Sequence, residues 1–231
     1  MLQELLSPLL DLLYPKLCLA CGVHTPPNEA LLCITCYYEL PETRHLEQVE
    51  NAFTEVFWGR VPITTGAALY YFTKSGRVQR LIHHLKYKHQ PQIGEQLGLY
   101  YGRQLKQQQH FQGIDAVVPV PLHPTKEQLR GYNQAEAIGQ GVALGMDLPL
   151  WPNALKRVEH TVSQTHKSRQ ARLENVQRVF QLGQAERLCG QHVLLVDDVL
   201  TTGATLETCA TLISSVEGAQ VSLATLAMAK D

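Results

Sequence analysis

The sequence has almost no net charge, since 20 lysines and arginines face 21 aspartates and glutamates for a formal charge of −1. It therefore lacks the overall positive charge of a protein whose whole surface binds nucleic acid. Internal repeats are also missing, which excludes a repeat array, and the only biased tract is three glutamines at 107–109. What is present is a chain of 231 residues that is 45% apolar, enough for one principal α/β core and a small appendage.

A long, unbroken hydrophobic run is missing too. Seven leucines stand within the first 13 residues, but Glu4, Pro8 and Asp11 interrupt them. The segment is therefore expected to form a short amphipathic docking helix and no membrane span. Nothing before the first cysteine resembles a secretory signal, so we expect a reducing, cytoplasmic location.

Four of the six cysteines form two Cys-x2-Cys pairs, and 11 residues separate the pairs. The four residues are Cys18, Cys21, Cys33 and Cys36. This spacing can gather four thiolates around one tetrahedral Zn²⁺. Two disulfides are the alternative, which the expected reducing location disfavours. Because four thiolates leave no open position for a catalytic water, the predicted zinc ion is structural.

The most specific pattern in the chain is a strand followed by two acids. Residues 192–196 form a short run of leucine and β-branched residues, which predicts a strand covered on both faces in a parallel sheet. Asp197 and Asp198 follow directly. Two carboxylates at the carboxyl end of such a strand can accept hydrogen bonds from two vicinal sugar hydroxyls.

After the acids comes a loop of small and hydroxylated residues at the start of a predicted helix. The loop residues are Thr201, Thr202, Gly203, Ala204 and Thr205. Their hydroxyl and backbone N–H groups can bind an anion at the helix N-terminus. A solvated turn followed by a threonine-rich helix cap is the alternative, but it does not account for strand, acid pair, loop and helix together.

This combination resembles the type I phosphoribosyltransferases. The resemblance implies an α/β fold with a central, mainly parallel sheet. It also implies that Asp197 and Asp198 hold the ribose 2- and 3-hydroxyls of phosphoribosyl pyrophosphate, directly or through a hydrated Mg²⁺, and that the loop holds the 5-phosphate. In the reaction that such a fold supports, pyrophosphate leaves C1 of the ribose while an oxocarbenium-like charge develops there.

Two further segments fit the same resemblance. Residues 115–121 are predicted to form a second buried strand, and Leu122 and His123 look like the family's pyrophosphate-binding turn. A structural turn residue is the alternative for His123. The polar segment 159–175 lies where the family carries a mobile lid, with a plain surface loop as the alternative. The cations expected to close over the pyrophosphate are Arg157, Lys167, Arg169 and Arg172.

The order of the motifs narrows the resemblance to the ComF family of competence-associated proteins. The motifs are Pro-Val-Pro-Leu-His, Arg-Gly-Tyr-Asn-Gln-Ala, Arg-x3-Thr-x2-Gln, Arg-x2-Asn and the Asp-Asp-Val loop, and the zinc module is typical of such chains. The resemblance implies a role in natural transformation, with other competence proteins as partners. It leaves the acceptor and turnover open, so the alternative function is a non-catalytic module that phosphoribosyl pyrophosphate regulates and that binds single-stranded DNA.

Residues 74–88 hold five cations and no acid. An amphipathic helix is predicted here, with apolar residues on one side and cations on the other. One hypothesis is that the cationic face contacts phosphates, either of nucleic acid or of a phosphorylated acceptor, assisted by tyrosine stacking, and lies apart from the acid pair and its loop. A solvated helix face is the alternative. The candidate DNA-binding residues are Arg77, Arg80, Lys86, Tyr87 and Lys88.

These patterns divide the chain into three parts. Residues 1–60 are expected to hold the amino-terminal helix and the zinc module, and residues 61–112 a connecting region with an antiparallel strand and the cationic helix. Residues 113–231 are expected to form the phosphoribosyltransferase-like domain. The chemistry is therefore expected mainly in the third part.

Overall fold

The computed structural model describes residues 16–25, 31–158 and 179–230. In chain order, the helices are α1 Ile34–Glu39, α2 Ala52–Glu55, α3 Arg77–Tyr87, α4 Pro91–Lys106, α5 Pro124–Arg130, α6 Gln134–Met146, α7 Ala185–Leu188 and α8 Ala204–Ser214. The strands are β1 Gly66–Phe72, β2 Ala116–Pro119, β3 Leu155–Arg157, β4 Phe180–Leu182, β5 His192–Leu200 and β6 Gln220–Ala229. The predicted amino-terminal helix and the polar segment 159–175 lie outside the described residues. Within the described ranges, no helix is both long enough and apolar enough to cross a bilayer.

The central sheet has four parallel strands in the order β1-β6-β5-β2. Strand β5 lies inside the sheet, paired with β6 on one side and with β2 on the other. Strands β3 and β4 form a separate antiparallel pair. The predicted α/β fold with a parallel central sheet is therefore confirmed.

One strand differs from the prediction. We expected the strand of the 61–112 region to be antiparallel, but β1 runs parallel to β6, with Gly66 opposite Leu223. The expectation was wrong because residues 66–70 are buried without interruption, and continuous burial is typical of a parallel strand covered on both faces. The three-part division of the chain stays a prediction, although β1 shares its sheet with strands of the third part.

Alternate side chains of β5 enter two apolar cores. Leu194 and Val196 pack in the first core with residues of α3, α4 and α6. Val193 and Leu195 pack in the second core with residues of α2, α8 and the β3–β4 pair. Because successive side chains of a strand point to opposite faces, the two cores cover opposite faces of the sheet. Each face of β5 therefore meets a different set of elements.

Helices α4 and α6 approach each other closely because glycines line their contact. A Cβ added at Gly98 would lie 2.3 Å from the carbonyl oxygen of Ile138, and one added at Gly141 would lie 2.1 Å from that of Glu95. Both distances are far below van der Waals contact. Neither position therefore accepts a larger side chain unless a helix moves.

Replacing Gly141 by alanine should lower the free energy of unfolding by about 1–3 kcal/mol, since the new methyl group must displace the backbone of α4. Urea denaturation followed by circular dichroism measures the change. The control is Gln140→Ala, an exposed position in the same helix, where alanine should be neutral or slightly stabilising. Equal stability of wild type and Gly141→Ala would show that the close helix contact is not required.

Candidate functional site

The carboxyl ends of β2 and β5 lie side by side at one edge of the sheet. Pro119 pairs with Val196, and the N–H of Val120 donates to the carbonyl oxygen of Val196 at 2.9 Å. The turn that follows β2 therefore begins next to Asp197. In an open α/β sheet this edge is where ligands bind.

Asp197 and Asp198 lie within β5, which continues to Leu200 and is longer than the strand predicted from residues 192–196. Both acids are half-buried. The Asp198 N–H donates to Oδ1 of Asp197 at 2.8 Å, which fixes the first carboxylate. Because side chains alternate along a strand, Asp197 continues the row of Val193 and Leu195, and Asp198 continues the opposite row. The two carboxylates therefore face different layers of the fold.

Each acid has a cation on its own side of the sheet. Nζ of Lys86, from α3, lies 2.9 Å from Oδ2 of Asp198, and their side chains are only 25% and 14% exposed. On the other side, the charge of Arg157, from β3, favours the ionised form of Asp197. The Arg157 guanidinium also lies over the ring of Phe180, 5.0 Å from its centroid. Arg157 is thus close to the acid pair, while its predicted contact with pyrophosphate stays a prediction.

The pKa of Asp197 is strongly raised. Burial, assisted by the charge of Asp198, raises the pKa of this carboxyl from 3.8 to about 7. The N–H of Asp198 and the charges of Lys86 and Arg157 oppose the shift and do not cancel it. Near neutral pH the pair therefore carries up to one proton, so that it offers a hydrogen-bond donor as well as acceptors.

The position of Lys86 corrects the sequence prediction. We expected the cationic face of this helix to lie apart from the acid pair, yet Lys86 contacts Asp198 directly. The reason is helical periodicity, since the nine steps from Arg77 to Lys86 rotate the side-chain direction by about 900°, or half a turn beyond two full turns. Lys86 therefore points away from Arg77. The sequence alone gives this orientation of Lys86 relative to Arg77, although it does not identify Asp198 as the partner.

The other candidate DNA-binding residues of α3 and its C-terminal cap have different surroundings. Nη1 of Arg77 donates to Oε2 of Glu39 at 2.8 Å. Nη1 of Arg80 donates to two backbone carbonyl oxygens of the first cysteine pair, at 3.3 Å each. Tyr87 and Lys88 are exposed. DNA contact stays a prediction, with three of its four cations already engaged within the chain.

The loop after β5 leads into the N-terminus of α8. Gly203 precedes the helix with φ of 78° and provides no side-chain cap, while Oγ1 of Thr202 accepts a long hydrogen bond, 3.5 Å, from the Ala204 N–H. A Cβ at Gly203 would lie 3.0 Å from Val56 and would require an unfavourable backbone conformation. The N-cap residue therefore leaves the first turn of α8 without a cap of its own, and the helix dipole favours an anion at this end.

Sequence reasoning missed Arg60, which supports this loop. Its Nη1 donates to the carbonyl oxygen of Thr202 at 3.0 Å, and its Nε donates to Oε2 of Glu207 at 3.0 Å. Arg60 and Thr202 are 142 residues apart in the chain. No local pattern could have connected them, because only the packing of the segment after α2 against α8 brings them together.

The predicted pyrophosphate turn follows β2 as expected, and Leu122 and His123 are half-buried there. Nδ1 of His123 accepts a hydrogen bond from the Thr125 N–H at 3.3 Å and caps α5. This is the structural role that the sequence left open, while a contact of His123 with pyrophosphate stays a prediction. The other lid cations, Lys167, Arg169 and Arg172, lie outside the described residues.

The four cysteines of the two pairs come together as predicted. Their sulfur atoms all lie within 4.8 Å of one another, and the Sγ atoms of Cys21 and Cys33 are 3.7 Å apart. Four sulfurs at tetrahedral Zn–S distances would be about 3.8 Å apart. The cluster therefore has the donor set and the dimensions of a four-thiolate metal site.

These features define the class of protein. Residues 135–231 match the family model described as "Phosphoribosyl transferase domain". Together with the parallel sheet and the strand, acid pair and loop, the match makes this a protein with a phosphoribosyltransferase-type fold.

Within that class, the chain is similar to Competence protein F of Haemophilus influenzae, with 36% identity over 130 residues that cover 54% of this chain and 57% of the relative. It is also similar to DNA utilization protein YhgH of Escherichia coli, with 29% identity over 58% of this chain and 59% of that protein. The chain thus spans somewhat more than half the length of these relatives. The resemblance to the ComF family is confirmed.

Among solved structures, the chain is similar to a glutamine phosphoribosylpyrophosphate amidotransferase from B. subtilis complexed with ADP and GMP. The TM-score is 0.42 at 16% sequence identity, and the match covers 58% of this chain and 26% of that one.

The raised pKa of Asp197 predicts a pH-dependent stability. Because the folded pKa lies above the unfolded value, the stabilising contribution of this group is complete below about pH 4 and is lost as the pH rises through about 7. Asp197→Asn removes the loss, so between pH 4 and 8 the variant should gain roughly 1–3 kcal/mol relative to wild type. Chemical denaturation at several pH values measures the difference.

The control is Asp147→Asn, because Lys106 lowers the pKa of Asp147 by a hydrogen bond. Asp147 therefore contributes stability only above its unfolded pKa, and its replacement should produce a small pH dependence of the opposite sign. A stability difference between Asp197→Asn and wild type that does not vary with pH would contradict the raised pKa.

Proposed function

We propose that this chain binds phosphoribosyl pyrophosphate at the carboxyl edge of its sheet. Asp197 and Asp198 would hold the ribose 2- and 3-hydroxyls, and the loop 201–205 would hold the 5-phosphate. The observation that carries the proposal is the pairing of two half-buried carboxylates with a helix N-terminus that follows them and whose N-cap residue is a glycine without a side-chain cap. One part suits vicinal hydroxyls and the other suits a phosphate.

The same site fits Mg²⁺. This ion binds oxygen ligands, keeps several of its waters and needs only one or two carboxylates besides substrate phosphates, and Asp197 and Asp198 provide that donor set. When bound, Mg²⁺ would neutralise charge on the pyrophosphate. The protein's own part is to orient the ribose, and to place Arg157 and the turn of Leu122 and His123 near the leaving group.

The reaction class that this arrangement supports is transfer of a phosphoribosyl group with release of pyrophosphate. The acceptor is not defined by the residues at the site. A sensor that binds phosphoribosyl pyrophosphate without turnover would use the same contacts. Pyrophosphate release with candidate acceptors separates the enzyme from the sensor.

We assign the four-cysteine cluster to a structural Zn²⁺. The four sulfurs fit a closed tetrahedral site, and two of the cysteines, Cys18 and Cys36, are buried in the first apolar core. The ion would therefore stabilise the packing of this module against α3 and take no part in catalysis.

The cellular role is proposed from the relatives. Their names refer to competence and to DNA utilization, so we place this chain in the handling of imported DNA, in the cytoplasm, alongside other competence proteins. Single-stranded DNA is the partner that this role implies. If the protein does not turn over phosphoribosyl pyrophosphate, the corresponding role is that of a DNA-binding module that this ligand regulates.

Binding of phosphoribosyl pyrophosphate is tested by calorimetry with Mg²⁺ present. Asp197→Asn combined with Asp198→Asn removes charge-assisted hydrogen bonds worth roughly 1.5–3 kcal/mol each, so affinity should fall by two orders of magnitude or more. Asp147→Asn, an exposed acid paired with Lys106, is the matched control and should bind like wild type. Unchanged affinity in the folded double variant would refute the assignment of the acid pair.

The metal prediction concerns stability. Replacing Cys33 and Cys36 by serine should abolish stoichiometric zinc and loosen the cysteine module, because metal binding and folding of such a module are coupled. Elemental analysis and limited proteolysis measure the two effects. Cys189→Ser is the control, since this cysteine is exposed and outside the cluster. Wild-type protein that is purified without zinc or iron and with all four thiols reduced would disprove the site.

A further inference from the structure

The amino-terminal half of α3 is fixed to the four-cysteine module. Nη1 of Arg80 donates to the carbonyl oxygens of Ala20 and Cys21, both within the first cysteine pair. Arg77 pairs with Glu39 in α1, the helix that contains the last cysteine of the second pair. One helix therefore holds both halves of the module.

The carboxyl end of the same helix reaches the acid pair. Lys86 is the penultimate residue of α3, and its ammonium group is the ion-pair partner of Asp198. Lys86 lies six positions after Arg80, which corresponds to about 9 Å along the helix axis. The contacts with the module and with the acid pair are thus less than two helical turns apart.

The helix between these contacts is firmly packed. Val78, Leu81, Ile82 and Leu85 are buried, and they share one continuous core with Cys18 and Cys36. The hydroxyl of Tyr132 donates to the carbonyl oxygen of Leu85 and fixes the last turn. A displacement of the module is therefore carried along a rigid element, with no loop to absorb it.

We propose that α3 couples the four-cysteine module to the acid pair, and that Lys86 is the positioning residue through which the coupling acts. Lys86 holds Asp198 and compensates its charge, so that both carboxylates are available to the ribose hydroxyls. When the module loosens, Arg80 loses its carbonyl partners, the helix shifts and Lys86 leaves Asp198. The metal module thereby controls ligand affinity from outside the ligand site.

The inference rests on the proposed function, because its readout is the affinity for phosphoribosyl pyrophosphate. The test is a double-mutant cycle with Lys86→Met and Arg80→Met, measured by calorimetry with Mg²⁺. Lys86→Met should weaken binding about tenfold, because it removes the charge that compensates Asp198. Arg80→Met should weaken it severalfold, and the double variant should bind no more weakly than Lys86→Met alone, since both changes interrupt one connection.

A second variant separates positioning from a general loss of structure. Lys86→Arg keeps a positive charge beside Asp198 and should largely restore the affinity, whereas a merely structural role of Lys86 would not be rescued by the charge. Lys74→Met, which removes the same charge from an exposed residue just before α3, is the control and should leave the affinity unchanged.

Removal of the zinc by a chelator extends the test, provided that the chelator is then dialysed away and Mg²⁺ is restored before the calorimetry. Wild-type protein should lose affinity for phosphoribosyl pyrophosphate by the same factor as Arg80→Met, while Lys86→Met should lose no more. Additive effects in the cycle, or unchanged affinity in Arg80→Met, would overturn the coupling alone. If wild-type protein does not bind phosphoribosyl pyrophosphate at all, the proposed function fails, and this inference fails with it.

Discussion

Two adjacent carboxylates in a central strand are the constraint that organises this molecule. Isolated buried charges are costly, so each must be compensated or neutralised. The strand places Asp197 and Asp198 on opposite faces of the sheet, and each face supplies a cation, Arg157 from β3 and Lys86 from α3. These two cations do not fully compensate the charge of the carboxylates, because the pKa of Asp197 is still raised. A bound ligand with hydroxyl groups, together with a metal ion, would complete this compensation.

The elements around the acid pair belong to layers on opposite faces of the sheet. Arg60, from the segment after α2, supports the loop 201–205 on one side. On the other side, α3 connects the acid pair with the cysteine module. The site is therefore not confined to the part of the chain that matches the phosphoribosyl transferase domain. Residues well before that match help to build it.

Much of the fold and of the candidate site could be predicted from local sequence patterns. The buried strand, the acids and the loop are consecutive in the chain, so their spacing alone placed a helix N-terminus after Asp198. The two cysteine pairs likewise predicted a cluster, because their spacing suits one tetrahedral ion. The apolar face of α3 was also predicted correctly. Each of these features is decided by neighbours within about 20 residues.

The sequence by itself determined the strand with its acid pair, the helix start after it and the cysteine cluster, because strand alternation, helix capping and cysteine spacing are short-range properties. Tertiary structure decided which residues surround them. It made β1 a parallel member of the sheet, brought Arg60 to a loop 142 residues away and turned Lys86 from a supposed surface cation into the partner of Asp198. Such contacts depend on how the helices pack on the two faces of the sheet. That packing involves many residues of two apolar cores, so no local sequence motif predicts it.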